Sequence, residues 1–303
     1  MRHATPIPEP LDRAFSTSDA VAAGFGYGRL RGADLTRPFH GVRERAAAGT
    51  LLERCTSYAT RMADDEFFCS VTAAQLHGIP LPLAQEHDTR VHVAVPNPRR
   101  GPRSRGVVGH KFVVVPTAGE VVDLDGLRVS SPERSWCEAG ALLDLDALVA
   151  AGDHLIRPAN QLSSAHRLRA VLERHPAPRS RALLHEAFSL LDPGAESPKE
   201  SALRLVLMRA GISGFRTNLR VTIPSTGRRR RIDLAFEREM VAFEYQGDHH
   251  RDPHQWRDDM TRVAELESLG WKVVFVNDDD LRHPERLVSM ARRVLASRDT
   301  RPP

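Results

Sequence analysis

ArgIleAspLeuAlaPhe (231–236) and MetValAlaPheGluTyrGln (240–246) are the stretches whose reading decides the fold of this chain. Both alternate with period two, so each predicts a strand. In the first, Ile232, Leu234 and Phe236 share one face, and Asp233 and Ala235 the other. In the second, Val241, Phe243 and Tyr245 oppose Ala242, Glu244 and Gln246. A hairpin closed by Arg238-Glu239 puts Glu237 opposite Met240, Ala235 opposite Ala242 and Asp233 opposite Glu244. That loop lacks the Gly or Asn favoured in two-residue turns, so a slipped register stays open.

Two carboxylates facing each other across a strand pair repel. Without compensation, one of them holds a proton. A divalent cation between them removes the conflict. Magnesium is commonly held by one or two carboxylates together with water and phosphate oxygens. The alternative is a solvated hairpin face. Three neighbours weigh toward chemistry. Arg228, Arg229, Arg230 and Arg231 lead into Asp233 and predict phosphate-binding charge, or else a solvated turn. Glu200, in SerProLysGlu (197–200), is either a third acid or only the capping-box glutamate of a strong helix start. GlyAspHisHis (247–250) puts imidazoles at the strand end, with His249 or His250 as acid–base candidates. His250 and His254 have the i, i+4 spacing of a zinc pair, and Pro253 between them argues against it.

Around the hairpin, Ala202, Leu203, Val206, Leu207 and Ala210 form the apolar face of a helix that Gly211 ends. A second helix over about 254–269 turns Trp256, Met260, Val263 and Leu266 inward and Arg257, Asp258 and Arg262 outward. GlyTrpLysValValPheVal (270–276) reads as a strand. AsnAspAspAsp (277–280) reads as a loop before a last helix near Pro284.

This ordered set resembles the PD-(D/E)XK nuclease superfamily over roughly 195–298, and within it the very-short-patch-repair endonuclease-like proteins. The resemblance implies a restriction-endonuclease-like fold, a mixed sheet flanked by helices. It also implies Mg²⁺ or Mn²⁺ held by Asp233, Glu244 and the Tyr245 backbone carbonyl. Gln246 then stands where such nucleases carry lysine, and His250 is the histidine candidate. Glutamine supplies neither positive charge nor a base, though it can position water.

The earlier chain reads differently. Residues 1–10 are Pro-rich and expected to be disordered. Ser16 to Asp19 reads as a capping box before a helix ending near Gly24. Tyr27 to Leu35 predicts a second short helix, 36–42 a turn into a short strand, and 43–62 a long helix. A helix over 70–77 follows, then strands at 90–95 and 106–115, a hairpin turn at Asp125-Gly126, and helices near 132–142 and 144–156. AsnProArgArgGlyProArgSerArg (97–105) is a basic loop. The segments 15–24, 37–42 and 76–82 resemble type IV abortive-infection antitoxins. That resemblance implies a winged helix-turn-helix over 11–62, with Arg29 and Arg31 toward DNA, and a small α/β domain over 63–156. Residues 157–196 are read as a helical linker and 197–298 as the nuclease-like domain. The expected class is thus a multidomain α/β and α+β protein.

Composition narrows the remaining classes. The chain has 303 residues, 41% hydrophobic and 27% charged, which is ordinary globular usage. No apolar run approaches the roughly 20 residues of a membrane span. The first ten residues have no apolar signal core. A cytoplasmic protein without a membrane partner is expected. Cys55, Cys69 and Cys137 form no CxxC pair and predict buried thiols. The net charge of +4 permits DNA as partner. Two function classes follow: a metal-dependent DNA endonuclease, and an antitoxin-like DNA-binding regulator with a degenerate nuclease fold. One active site per chain would require a homodimer to cut both strands at once.

Overall fold

A computed structural model describes residues 13–176, 179–247 and 253–298 of the protein. The side chains of 253–259 also lie outside the described residues, as do the 1–10 tail, His249 and His250. The chain forms two compact units. One comprises the residues up to Leu143 together with Ala165–His185, and the other comprises Asp144–Ser164 and everything from Glu186 on. The stretch 157–196, read as a linker, is therefore divided between the two.

In chain order the first elements are β1 (Ala14–Ser16), α1 (Thr17–Ala22), β2 (Val42–Glu44) and α2 (Leu51–Ala59). They are followed by β3 (Phe67–Phe68), α3 (Ser70–Leu76), α4 (Leu83–Glu86), β4 (Val91–Pro96) and β5 (Val107–Phe112). β6 (Val121–Leu124), β7 (Leu127–Ser130) and α5 (Pro132–Ala139) close this run. The next helix, α6 (Leu145–Ile156), belongs to the second unit, whereas α7 (Ala165–Arg174) and most of α8 (Arg181–Ser189) return to the first.

The first unit holds a five-stranded sheet in the order β5-β4-β3-β7-β6 and a two-stranded sheet, β1-β2. The β6–β7 turn carries Asp125 and Gly126 at φ 52° and 80°, the left-handed pair that a two-residue hairpin turn needs. Ser16 caps α1 by accepting from Asp19 N at 3.0 Å. Two expectations fail here. Tyr27–Leu35 contains only a 3-10 turn at Arg29–Arg31, because Gly26, Gly28 and Gly32 weaken an α-helix. Residues 42–44 pair with β1, and the helix starts only at Leu51 behind a Thr50–Glu53 capping box. The three cysteines are buried and free.

The second unit continues with α9 (Pro198–Arg209), β8 (Arg216–Thr222), β9 (Arg229–Phe236) and β10 (Val241–Tyr245). It ends with α10 (Pro253–Ser268), β11 (Lys272–Val276), α11 (Asp278–Arg282) and α12 (Pro284–Arg298). Its sheet runs β11-β10-β9-β8, with β10 and β11 parallel and the other pairs antiparallel. Leu203 and Leu207 of α9 and Leu287 and Ala291 of α12 pack with Leu234, Phe236, Val241 and Phe243. Ile232, Ala235 and Ala242 pack instead with Leu266 and Trp271. The architecture is thus mixed α/β, with helices on sheets in each unit.

Three details differ from the sequence reading of this unit. β8 is an additional strand, polar and at the sheet edge, where charged residues are common. Strict alternation breaks at Asp233, since Ile232 and Ala235 share one cluster and Leu234 belongs to the other. The break lies beside Asn218, whose φ of 49° interrupts the β8–β9 ladder between Thr217 and Leu219. Residues 278–282 form a capped helix rather than a loop, because Asn277 accepts from Asp279 N and Asp280 N.

Candidate active site

The hairpin register is the expected one: Val241 pairs with Phe236, Ala242 with Ala235 and Phe243 with Leu234. The ladder stops there, one step before Asp233 and Glu244. Instead of a backbone bond, Tyr245 N donates to Asp233 Oδ2 at 2.9 Å. Asp233 and Glu244 are 6% and 3% exposed, which excludes the solvated-face alternative.

Burial sets the electrostatics of the pair. Desolvation, then the charge of Glu200, pushes Asp233 up to about 6. Desolvation, then the charge of Asp233, pushes Glu244 up to about 8. Glu200 is also raised, chiefly by burial. Three carboxyls thus share a region that cannot hold three uncompensated negative charges. The stability consequence has a definite sign. Raised carboxyl values mean that the folded state binds more protons than the unfolded chain. The pair's stabilisation is complete below about pH 4 and is lost as pH rises through about 6 and then 8. In EDTA, urea denaturation of wild type should show a falling contribution over that window. Asp233→Asn/Glu244→Gln should flatten it, and an unchanged slope in the double variant would refute the coupling.

One cation already stands at the pair. Arg262 of α10 donates to Glu244 Oε2 and to the Arg231 carbonyl. This corrects the outward placement of Arg262. Its turn-mate Leu266 is fully buried, so position 262, four residues earlier, faces the sheet. That spacing was the available signal. Conversely, Met260, expected inside, is 40% exposed. Among the described residues Glu244 Oε1 is buried without a hydrogen-bond partner. Glu244 borders a small pocket of about 10 Å³ shared with Arg262, Val263, Leu266, Val273 and Phe275.

The other candidates fall at different distances from this chemistry. Glu200 acts as the cap glutamate: its carboxylate accepts from Glu196 N and Ser197 Oγ, and also from Asn218 Nδ2 at 2.9 Å. Asn218 is a residue that the sequence reading missed. The Gln246 backbone N bonds Val276 O at 2.8 Å, and no side-chain partner of Gln246 appears among the described residues. Tyr245 turns its hydroxyl to Asp278 Oδ1 at 2.8 Å, and Lys199 pairs with the same carboxylate. The arginine run is largely committed to glutamates. Arg230 and Arg228 approach Glu265, and Arg231 pairs with Glu196, while Arg229 is exposed and has no carboxylate partner among the described residues. In the first unit, Arg29 forms a two-pronged pair with Asp34 at 3.0 and 2.7 Å, while Arg31 stays exposed. His250 lies outside the described residues.

The donor set suits a hard cation. Asp233 and the orphaned Glu244 Oε1 offer carboxylate oxygen, the ligand type of Mg²⁺ and Mn²⁺. Among the described residues no group of three or more His, Cys, Asp or Glu gathers closely enough to chelate a metal unaided. An ion here would complete its shell with backbone, water and phosphate oxygens.

No family model matches the chain. It is similar to two proteins named as uncharacterized, MT2308 of Mycobacterium tuberculosis strain CDC 1551 / Oshkosh and Rv2248 of strain ATCC 25618 / H37Rv. Each is 27% identical over 270 residues, covering 88% of this chain and 94% of the relative. Among the described residues no helix is long and apolar enough to cross a membrane.

Proposed function

We propose that the chain is a metal-dependent DNA endonuclease. Its C-terminal part is read as restriction-endonuclease-like and its N-terminal part as a winged helix-turn-helix with a small α/β domain. The observation that carries the reading is the buried Asp233–Glu244 pair at the open end of the β9–β10 ladder, with Glu244 Oε1 unsatisfied. Such an oxygen is costly unless something binds it. Asp233 and Glu244 would hold Mg²⁺ or Mn²⁺, which polarises a phosphoryl group and acidifies bound water. The chain's own residues do the rest. The Tyr245 N–H fixes Asp233. Arg262 pairs with Glu244 and offsets part of the rise that burial imposes on its carboxyl. The Gln246 amide orients a water but cannot take its proton.

The Arg262 contact makes a prediction of its own. Arg262→Gln leaves Glu244 buried without its partner. Losing one partner of a buried pair costs about 3–5 kcal/mol. Arg262 is a third exposed, so solvent screening reduces this to about 1–2 kcal/mol. Mn²⁺ should restore the loss, because it stabilises only the folded site. The melting shift on adding Mn²⁺ should therefore be larger in the variant than in wild type. Equal shifts would mean that Arg262 and the metal do not share Glu244.

The activity itself is tested by plasmid relaxation. Supercoiled DNA is incubated with wild type in Mg²⁺, Mn²⁺ or EDTA. Nicked or linear product that requires metal is expected. A second reading, a DNA-binding regulator with a degenerate site, is favoured by Gln246 and by the guanidinium already on Glu244. It predicts a gel shift with no turnover in any metal.

A further inference from the structure

The first unit contains an open cleft of about 420 Å³, a size within the range of small-molecule sites. Its walls carry Arg37, Arg43 and Arg105, with His40 and Tyr27 beside them, and no acidic residue. Among the described residues none of the three guanidiniums pairs with a carboxylate. Among the described residues Arg43 donates to backbone carbonyls, Leu30 O at 2.7 Å and Val42 O at 2.8 Å. Arg37 reaches Arg31 O at 3.4 Å, its one hydrogen bond among the described residues. Burial, with the neighbouring Arg37 charge, lowers Arg43 from the usual guanidinium value. Several other arginines of this unit are matched to acids, as in Arg29–Asp34, Arg99–Asp65 and Arg134–Glu120. Unmatched charge concentrated in one concavity attracts an anion.

Two further observations narrow the ligand. Ser104 lines the cleft, and among the described residues its buried hydroxyl has no hydrogen-bond partner, so an orphaned donor lies at the wall. Tyr27 is 67% exposed on the same cleft. A flat ring beside arginines is the combination that stacks a base while its phosphate is neutralised. The floor is rigid. Phe39 is buried, Thr17 N bonds Gly41 O at 2.7 Å, and Arg61 holds the His40 carbonyl. The backbone beneath the cleft therefore needs no ordering on binding.

We infer that this cleft binds a nucleotide unit, with its phosphate on Arg37, Arg43, Arg105 and Ser104 and its base on Tyr27. The ligand chemistry is the same for a free mononucleotide and for one residue of a single strand. The inference stands whether or not the second unit cuts DNA. The test uses the full chain in EDTA, so failure of the nuclease reading leaves it intact. Anisotropy of a fluorescein-labelled 12-nucleotide single strand is read against competitors: dAMP, inorganic phosphate and the duplex of the same sequence.

Arg37→Gln/Arg105→Gln should weaken binding at least about tenfold and flatten its salt dependence. Tyr27→Ala should weaken it roughly five- to a hundredfold. All three side chains are exposed, and matching melting curves exclude unfolding. Arg128→Gln/Arg298→Gln, with the same charge change elsewhere, should bind within about twofold of wild type. Competition by dAMP identifies a free nucleotide as sufficient, and competition by strand alone identifies nucleic acid. Equal weakening in both double variants would overturn the site. So would phosphate competing as well as dAMP, or no binding by wild type.

Discussion

Asp233→Asn and Glu244→Gln should each reduce metal-dependent nicking by more than about a hundredfold, the scale of losing a transition-state charge contact. The informative part is what happens to stability in the same variants. Asp233 is raised by burial and by the charge of Glu200, and Glu244 by burial and by the charge of Asp233. An amide of the same shape removes that repulsion, so at pH 8 in EDTA each variant should melt no lower than wild type. Residues kept for the fold would lose stability and activity together. Residues kept for chemistry lose activity while stability holds or rises. The nicking assay and a melting curve on the same preparations separate the two. Activity retained in both variants would end the assignment.

The second large effect is structural. Asp153 of α6 is 1% exposed, and both of its carboxylate oxygens accept hydrogen bonds within its own unit. It accepts from Arg204 Nη2 at 2.9 Å, Ser201 Oγ at 2.7 Å and Asp192 N at 2.6 Å. This network ties α6 to α9, the helix whose Glu200 cap lies beside the acid pair. Asp153→Ala leaves Arg204 buried and uncompensated, at a cost of about 3–5 kcal/mol. Asp153→Leu/Arg204→Met should recover much of that loss, because it removes both charges and keeps the volume. Urea midpoints measure both. A loss below about 1 kcal/mol in Asp153→Ala would show that the network does not bear on stability.

That network also shows where the sequence was legible and where it was not. The hairpin was readable because two-residue periodicity and the need to hide Val241 and Phe243 favour the register found, although the Arg238-Glu239 loop left a slip open. The α9 start was readable because Ser197, Pro198 and Glu200 are local signals, and Ser197 does accept from Glu200 N. Asp153 and Arg204 are 51 positions apart, and nothing local announces that they meet. The Asp153 segment therefore read as part of the middle region, although it packs with the second unit.

β8 escaped for a different reason. An edge strand of polar residues has little hydrophobic alternation to detect, and Asn218 breaks what remains. Arg262 was misplaced because a charged residue on an amphipathic helix is ordinarily solvated. Here a buried carboxylate lies within its reach. The arginine run misled in the opposite direction, since its neighbours Glu265 and Glu196 are remote in sequence and close in space.

Direct titration of the purified chain with Mn²⁺, followed by electron paramagnetic resonance, bears most closely on the acid pair as a metal site. Wild type should take up one Mn²⁺ saturably, and Asp233→Asn and Glu244→Gln should each bind at least about tenfold more weakly. Identical uptake by all three proteins, or none by wild type, would contradict it.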